Sequence, residues 1–319
     1  MAPGPAAADR AAPVPAAPVP AAAVRRIAQA ALQEDAPRGD VTAATFVPAG
    51  MRTRAAVVAR EAGVMAGGEV FAAVVREAAA HAGTGECRVQ QTVSEAAPFS
   101  AGDVLLTVEG PAHTLLLAER TALNLLQRMC AVAALTWQYA DAVSGCVSAA
   151  TGRPVRIADT RKTTPGLRIL ERYAVRCGGG ANHRDGLSDA VMLKDNHVTL
   201  LGEGEQLTAA LRAGRARLGH TVHVEVEVDR LDQIEAVADA GIDTIMLDNF
   251  SPAELVEGIR LVDGRALVEA SGGVSLQTVR AIAETGVDVI SVGALTHSVR
   301  NLDLGLDTVD RDSHAACGA

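Results

Sequence analysis

Of the 29 basic residues in this 319-residue chain only two are lysine, Lys162 and Lys194. Both stand in polar runs, Asp159-Thr160-Arg161-Lys162 and Lys194-Asp195-Asn196-His197. A guanidinium fork cannot replace a compact ammonium, so a chain that otherwise uses arginine keeps lysine where a point charge is needed. From Thr151 to Lys194 nine bases (Arg153, Arg156, Arg161, Lys162, Arg168, Arg172, Arg176, Arg184 and Lys194) stand against four acids, a local charge of +5 in a protein of formal charge −9. Some of these arginines belong to a solvated face. Those beside strand ends and the Gly178-Gly179-Gly180 loop converge, and a focused positive pocket on an acidic protein suits a small polyanion. Carboxylates match paired arginines, and phosphate oxygens match lysine. Ser271-Gly272-Gly273 and Ser291-Val292-Gly293-Ala294 let backbone N–H groups approach a phosphate, as late barrel loops do, or else make tight turns. Glu227 and Asp248 suit Mg²⁺ or sugar hydroxyls, or neutralise the bases around them. His183 is a candidate substrate contact, and His197 is expected to fix the loop after Lys194. No Ser-His-Asp or Cys-His arrangement supports covalent catalysis.

These residues need elements that bring them together. From Val155 onward strands alternate with helices: Val155–Asp159, Ala190–Lys194, Val222–Val228, Thr244–Leu247, Ala266–Glu269 and Val287–Val292 read as strands. Glu205–Arg217, Leu231–Ala240, Pro252–Leu261, Leu276–Glu284 and a segment after Thr296 read as helices. Ser251-Pro252-x-Glu254 is a capping box with proline at the first helical position. Six strands fall one or two short of a closed barrel, and a doubly wound open sheet is the alternative. The regular spacing of polar strand ends favours the barrel: Glu227 is followed by Asp248, Ser271 and Gly293 at intervals of 21, 23 and 22 residues. In a barrel such ends meet on one face.

The preceding chain reads as a small α+β domain. Val24–Glu34 forms a short helix, Arg52–Arg60, Cys87–Val93 and Asp103–Val108 are strands, and Gly68–His81 is a helix. Leu115–Val143 is expected to be one long helix or two. Residues 1–23, with eleven Ala and six Pro, read as a disordered tail. The acidic balance and seven aromatic residues exclude a general nucleic-acid surface, and no run of 18 apolar residues can span a membrane. Cys87, Cys130, Cys146, Cys177 and Cys317 form no C-x-x-C pair, which fits a reducing cytoplasm.

Asp159-Thr-Arg-Lys-Thr-Thr-Pro-Gly-Leu-Arg168, Gly178-Gly-Gly-Ala-Asn-His-Arg184 and Lys194-Asp-Asn-His197 together resemble the quinolinate phosphoribosyltransferase family. So do Glu119-Arg-Thr-Ala-Leu-Asn124, Leu247-Asp-Asn-Phe250 and Glu269-Ala-Ser-Gly-Gly273. The likeness runs from about Ala31 to about Leu306; Met129–Leu135 departs from the Ser-Gly-Ile-Ala-Thr-like helix expected there. The resemblance implies an incomplete parallel α/β barrel (151–306), an N-terminal α+β open-faced sandwich (24–115), linking helices (116–150) and a C-terminal tail (307–319). It implies transfer of phosphoribose to quinolinate with decarboxylation, Mg²⁺ as cofactor, and a homodimer or hexamer with shared sites. Arg161, His183 and Arg184, with the partner's Arg120, would surround the two carboxylates. Thr160 would line the substrate pocket beside Arg161. Lys162 and Lys194 would face the carboxylate and pyrophosphate charges, and Glu227 and Asp248 would hold Mg²⁺ and the ribose hydroxyls. Ser271, Gly272, Gly273, Gly293, Ala294 and Leu295 would take the 5-phosphate.

Three other readings stay open on the residues alone. One is a barrel lyase with a Schiff-base lysine, another a non-catalytic phosphate-binding module, and the third a molybdenum-transport homologue of the same family.

Overall fold

A computed structural model describes residues 17–308, which fold into two compact units. The first holds the described chain up to Leu135 together with Thr164–Gly179 and the segment from Val299 on. The second holds Thr136–Thr163 and Gly180–Ser298.

In the first unit, α1 (Ala21–Asp35) packs on α3 (Gly68–Ala82), and α2 (Val41–Phe46) is capped by Asp40, whose carboxylate accepts the amides of Thr42 and Ala43. The strands are β1 (Arg52–Ala59), β2 (Gly63–Val64), β3 (Arg88–Gln91), β4 (Pro98–Phe99) and β5 (Val104–Pro111). The main sheet is antiparallel, in the order Leu304–Thr308, β1, β5, β3. One continuous helix of 31 residues, α4 (Ala112–Ala142), follows and runs past the boundary at Leu135.

Several boundaries differ from expectation. α1 starts at Ala21, three residues early, because Pro20 offers its carbonyl to the amides of Ala23 and Val24 and Ala23 is buried. The expected disordered tail therefore gives way to structure before residue 23, and residues 1–16 lie outside the described chain. At the other end the sheet runs to Thr308, into the expected tail, and among the described residues no helix begins after Thr296: a short helix ends at His297, and the strand Leu304–Thr308 is the last described element. The segment 164–179, expected within the barrel, belongs to the first unit. It carries α5 (Arg168–Cys177), which pattern reading overlooked and which buries Leu170, Tyr173, Ala174 and Val175 there. Its Glu171 is fully buried and accepts from Arg128 Nε (3.0 Å) and Nη2 (2.8 Å), and from the Thr164 amide (3.1 Å) and hydroxyl (2.7 Å).

The second unit contains a six-stranded, wholly parallel sheet. Its elements in chain order are β6 (Arg156–Ala158), β7 (Val191–Leu193), α6 (Asp195–Leu201), α7 (Gly204–Arg215), β8 (Val224–Val228), α8 (Ile234–Asp239) and β9 (Thr244–Asp248). Then come α9 (Pro252–Val262), β10 (Leu267–Ser271), α10 (Val279–Glu284), β11 (Val289–Ser291) and α11 (Ala294–His297). The capping box at Ser251 is formed: its hydroxyl accepts the Glu254 amide, and Glu254 accepts the Ser251 amide at 2.8 Å. The spatial order is β6-β11-β10-β9-β8-β7. The first strand lies beside the last, a cyclic order that a doubly wound sheet does not have, so the unit is an incomplete barrel. The ring is open between β6 and β7, where the Ala158–Ala181 bridge extends β6. All six predicted strands are present, trimmed or shifted by a few residues.

Candidate active site

Parallel strands deliver their C-terminal ends to one face, and the second unit's polar residues gather there. A cavity of about 290 Å³ is lined by Thr160, Arg161 and Lys162 after β6, by His183 and Arg184, and by Met192 and Lys194 at β7. Glu227, Met246, Asp248, Ser271 and Ser291, from β8 to β11, complete it. Nine of the residues expected from sequence therefore share one cavity. Inner-face positions repeat every second residue along a strand, which pairs Met192 with Lys194, Glu225 with Glu227, Met246 with Asp248 and Glu269 with Ser271. That alternation was the available signal for Met192, Met246, Glu225 and Glu269, all of which sequence reasoning left unassigned.

The loop after β6 is held from both sides. The Thr160 hydroxyl accepts the Lys162 amide at 3.1 Å, and the Thr296 hydroxyl donates to the Lys162 carbonyl at 2.7 Å. Gly293 passes so close to Lys162 that a Cβ there would sit 3.2 Å from Lys162 Cδ and 2.9 Å from His297 Nε2. Gly272 has φ +92, and a Cβ on it would meet Asn249 Oδ1 at 2.1 Å. Glycine is required for conformation at Gly272, whereas at Gly293 a side chain would displace the Lys162 stem and the His297 ring. Gly272, Gly273 and Gly293 lie in the loops after β10 and β11, and Ala294 and Leu295 open α11; none of the five is among the residues lining the cavity. Arg120 is exposed on α4 in the first unit. Arg168, Arg172 and Arg176 lie on α5 in the first unit and are not among the residues lining this cavity.

Lys194 Nζ bonds Glu227 Oε2 at 2.5 Å, and the Lys194 amide donates to His197 Nδ1 at 3.0 Å, the loop-fixing role expected of His197. Lys162 and Lys194 are both exposed, unlike the desolvated lysine that Schiff-base chemistry requires. Asp248 accepts from Asn249 Nδ2 at 2.7 Å. Arg184 is made less basic, first by burial and then by the neighbouring Arg161 guanidinium. Two like charges held against each other form a receptor that an entering dianion relieves.

Beneath this site lies a buried polar group. Asp159, fully buried, accepts the His183 amide at 2.7 Å and Asn182 Nδ2 at 2.6 Å. His183 Nε2 lies 3.0 Å from Glu225 Oε2 and 3.5 Å from Glu269 Oε1, and the ligating atoms of all three fall within 4.8 Å of one another. Burial opposes a charge on His183, but hydrogen bonds to Glu225 and Glu269 outweigh it and hold the proton up to about 10. Burial also pushes the Glu225 carboxyl up, and Glu269 adds to the effect. The Arg184 amide lies 2.7 Å from His183 Nδ1, which leaves Nε2–H to face the two carboxylates. Elsewhere, burial pushes the Cys130 and Cys177 thiols up to about 12, which leaves neither as a nucleophile.

Comparison with known proteins matches residues 40–130 to the N-terminal domain of quinolinate phosphoribosyl transferase and residues 139–307 to its C-terminal domain. The nicotinate-nucleotide pyrophosphorylase [carboxylating] of Mycobacterium leprae is 44% identical over 281 residues, covering 87% of this chain and 94% of that protein. A probable enzyme of the same name from Bacillus subtilis is 37% identical over 291 residues, 89% of this chain and 93% of its own. NadC from Streptococcus pyogenes superposes with a TM-score of 0.82 at 36% identity, covering 92% of this chain and all of that one. With both domains matched and the cationic strand-end cavity in place, the chain belongs to the quinolinate phosphoribosyltransferase family.

Proposed function

We propose that this protein transfers the phosphoribosyl group of phosphoribosyl pyrophosphate to quinolinate and decarboxylates the adduct. The products are nicotinate mononucleotide, CO2 and pyrophosphate, a step in making NAD. The observation that carries this reading is the apposition of Arg161 and Arg184 in a cavity that also holds Lys162 and Lys194. Two fixed guanidiniums match two carboxylates on one ring. Arg120 of the partner subunit would complete the pocket in a homodimer.

The pyridine nitrogen attacks the anomeric carbon of phosphoribose as pyrophosphate departs. The protein's part is to align the two and to stabilise the charge that develops, without a covalent intermediate. Lys162 and Lys194 line the same cavity and would face the negative charge of the leaving pyrophosphate and the carboxylates. Bond formation makes the ring nitrogen cationic; that cation stabilises the carbanion left when the 2-carboxylate leaves as CO2. The loops at Ser271–Gly273 and Gly293–Leu295 would take the 5-phosphate through their amides. Glu227 and Asp248 supply hard carboxylate oxygens at neighbouring strand ends, and each keeps one oxygen outside the bonds to Lys194 and Asn249. This donor set fits Mg²⁺, which when bound would neutralise pyrophosphate charge. No described helix is long and apolar enough to cross a membrane, and the four described cysteines are free, as a cytoplasmic enzyme's would be.

The test is stoichiometry. Quinolinate should yield one CO2 per pyrophosphate; equal turnover of nicotinate without CO2 would overturn the assignment.

A further inference from the structure

Among the described residues three other than glycine have a left-handed backbone, and Asn249 (φ +61) is the one that adjoins a residue lining the active-site cavity. It follows Asp248 at the C-terminal end of β9, where glycine would turn the chain at no steric cost. The side chain kept there is engaged on both sides. Its Nδ2 donates to Asp248 Oδ2 at 2.7 Å. Its Oδ1 lies over Gly272, 2.1 Å from where a Cβ would stand. The backbone joins the same two strands: Asp248 pairs with Ser271 in the parallel ladder, and the Asn249 amide donates to the Ser271 carbonyl at 2.9 Å. Asn249 thus bridges the acid that ends β9 and the loop that follows β10. Asp248 and Ser271 line the cavity and Asn249 does not, so it acts on an occupant through its neighbours.

We propose that Asn249 is a positioning residue: its side-chain amide holds Oδ2 of Asp248, leaves Oδ1 to Mg²⁺ and the ribose hydroxyls, and fixes the spacing between that carboxylate and the Ser271–Gly273 loop. This rests on the functional reading above and adds to it a residue that has no role there. In that reading the two anchors grip different parts of one ligand, the ribose hydroxyls at Asp248 and the 5-phosphate at the loop, so their separation must match the ligand. Ladder hydrogen bonds fix the backbones of β9 and β10 but not the rotamer of a carboxylate. A donor that removes this freedom before the ligand arrives lowers the ordering cost of binding. Asparagine combines a tolerated left-handed backbone with an amide donor; aspartate and glycine share only the first property.

Asn249→Gly and Asn249→Asp therefore separate the backbone from the donor. Both accept the left-handed conformation, so melting temperatures should stay within about 4 °C of wild type. Neither offers Asp248 a donor at neutral pH. KM for phosphoribosyl pyrophosphate should rise about tenfold, as the loss of a hydrogen bond to a charged group implies, while KM for quinolinate stays within about twofold. A wild-type KM for phosphoribosyl pyrophosphate in either variant would overturn the proposal. So would an equal rise in both KM values, which is what a role in folding alone predicts. Crystal structures of the full-length wild type and variants give a readout apart from turnover. The Asp248 carboxylate should leave its wild-type rotamer once the amide is gone, and an unmoved carboxylate would overturn the proposal. Should Asn249→Gly fail to fold, Asn249→Asp carries both measurements. If phosphoribosyl pyrophosphate with Mg²⁺ did not raise the wild-type melting temperature, the functional reading would fail, while the rotamer of Asp248 would still judge this one.

Discussion

Two glycines at neighbouring strand ends should respond oppositely to the same methyl group. At Gly272 an alanine must hold φ +92, and its Cβ lies 2.1 Å from Asn249 Oδ1 and 2.8 Å from the Asn249 backbone nitrogen. The left-handed conformation costs about 1–2 kcal/mol, and a clash with backbone, which cannot rotate away, adds about 1–3 kcal/mol. The sum is about 2–5 kcal/mol, or a fall in melting temperature of about 4–20 °C for a unit of this size. At Gly293, φ −63 and ψ −32 are ordinary helical values. Alanine there gains about 0.4–1 kcal/mol from a stiffer unfolded chain, and the new contacts are with the side chains of Lys162 and His297 alone. Net stability should stay within about 1 kcal/mol. The Lys162 stem must give way by a few tenths of an ångström. Since an ångström of misplacement costs about a hundredfold, kcat/KM should drop about tenfold. Thermal melts beside pyrophosphate release on both variants decide the matter. A Gly293→Ala enzyme of full activity, or a Gly272→Ala enzyme of undiminished stability, would refute the reasoning.

Lys162→Arg should be nearly as damaging as Lys162→Ala, because a wider planar fork cannot occupy the space beside Gly293; retention of activity within about threefold, roughly 0.7 kcal/mol of barrier, would sink the point. Arg120→Ala and Lys162→Ala homodimers should each be nearly inactive, and random mixing should restore about a quarter of wild-type activity. No recovery after demonstrated subunit exchange would place Arg120 in its own subunit's site. Glu171→Ala strands the Arg128 guanidinium without its buried partner and should cost about 3–5 kcal/mol in denaturant melts. A loss below about 1 kcal/mol would show that the pair is dispensable.

What could be read from sequence follows from what alternation and end-residue chemistry encode. The six barrel strands are apolar runs of regular spacing, and the polar residue closing each is visible without coordinates. Glu225 and Glu269 were given no role of their own although β8 reads Val-Glu-Val-Glu-Val; alternation puts each on the face of Glu227 or Ser271, but which face turns inward is evident only once those two are known to line the cavity. α5 was overlooked because its basic residues, Arg168, Arg172 and Arg176, read as part of a charge cluster while their four-residue spacing marked a helix face. The partition between units cannot be read locally at all. Thr164–Gly179 belongs to the first unit through Glu171 and Arg128, residues 43 positions apart.

The gap between β6 and β7 has a mechanical meaning. In a closed barrel, strand number and stagger dictate the radius, and the lumen cannot widen without breaking hydrogen bonds all round. Here the circumference ends at a seam, held by the Ala158–Ala181 bridge and the clasp of Asp159 on Asn182 and His183. The aperture is therefore set by one short backbone bridge and a side-chain clasp, and not by a full ladder. The residues that act as its fastener are continuous in sequence with Arg161 and Arg184, so the diameter of the chamber and the grip on its occupant are tuned by the same few positions.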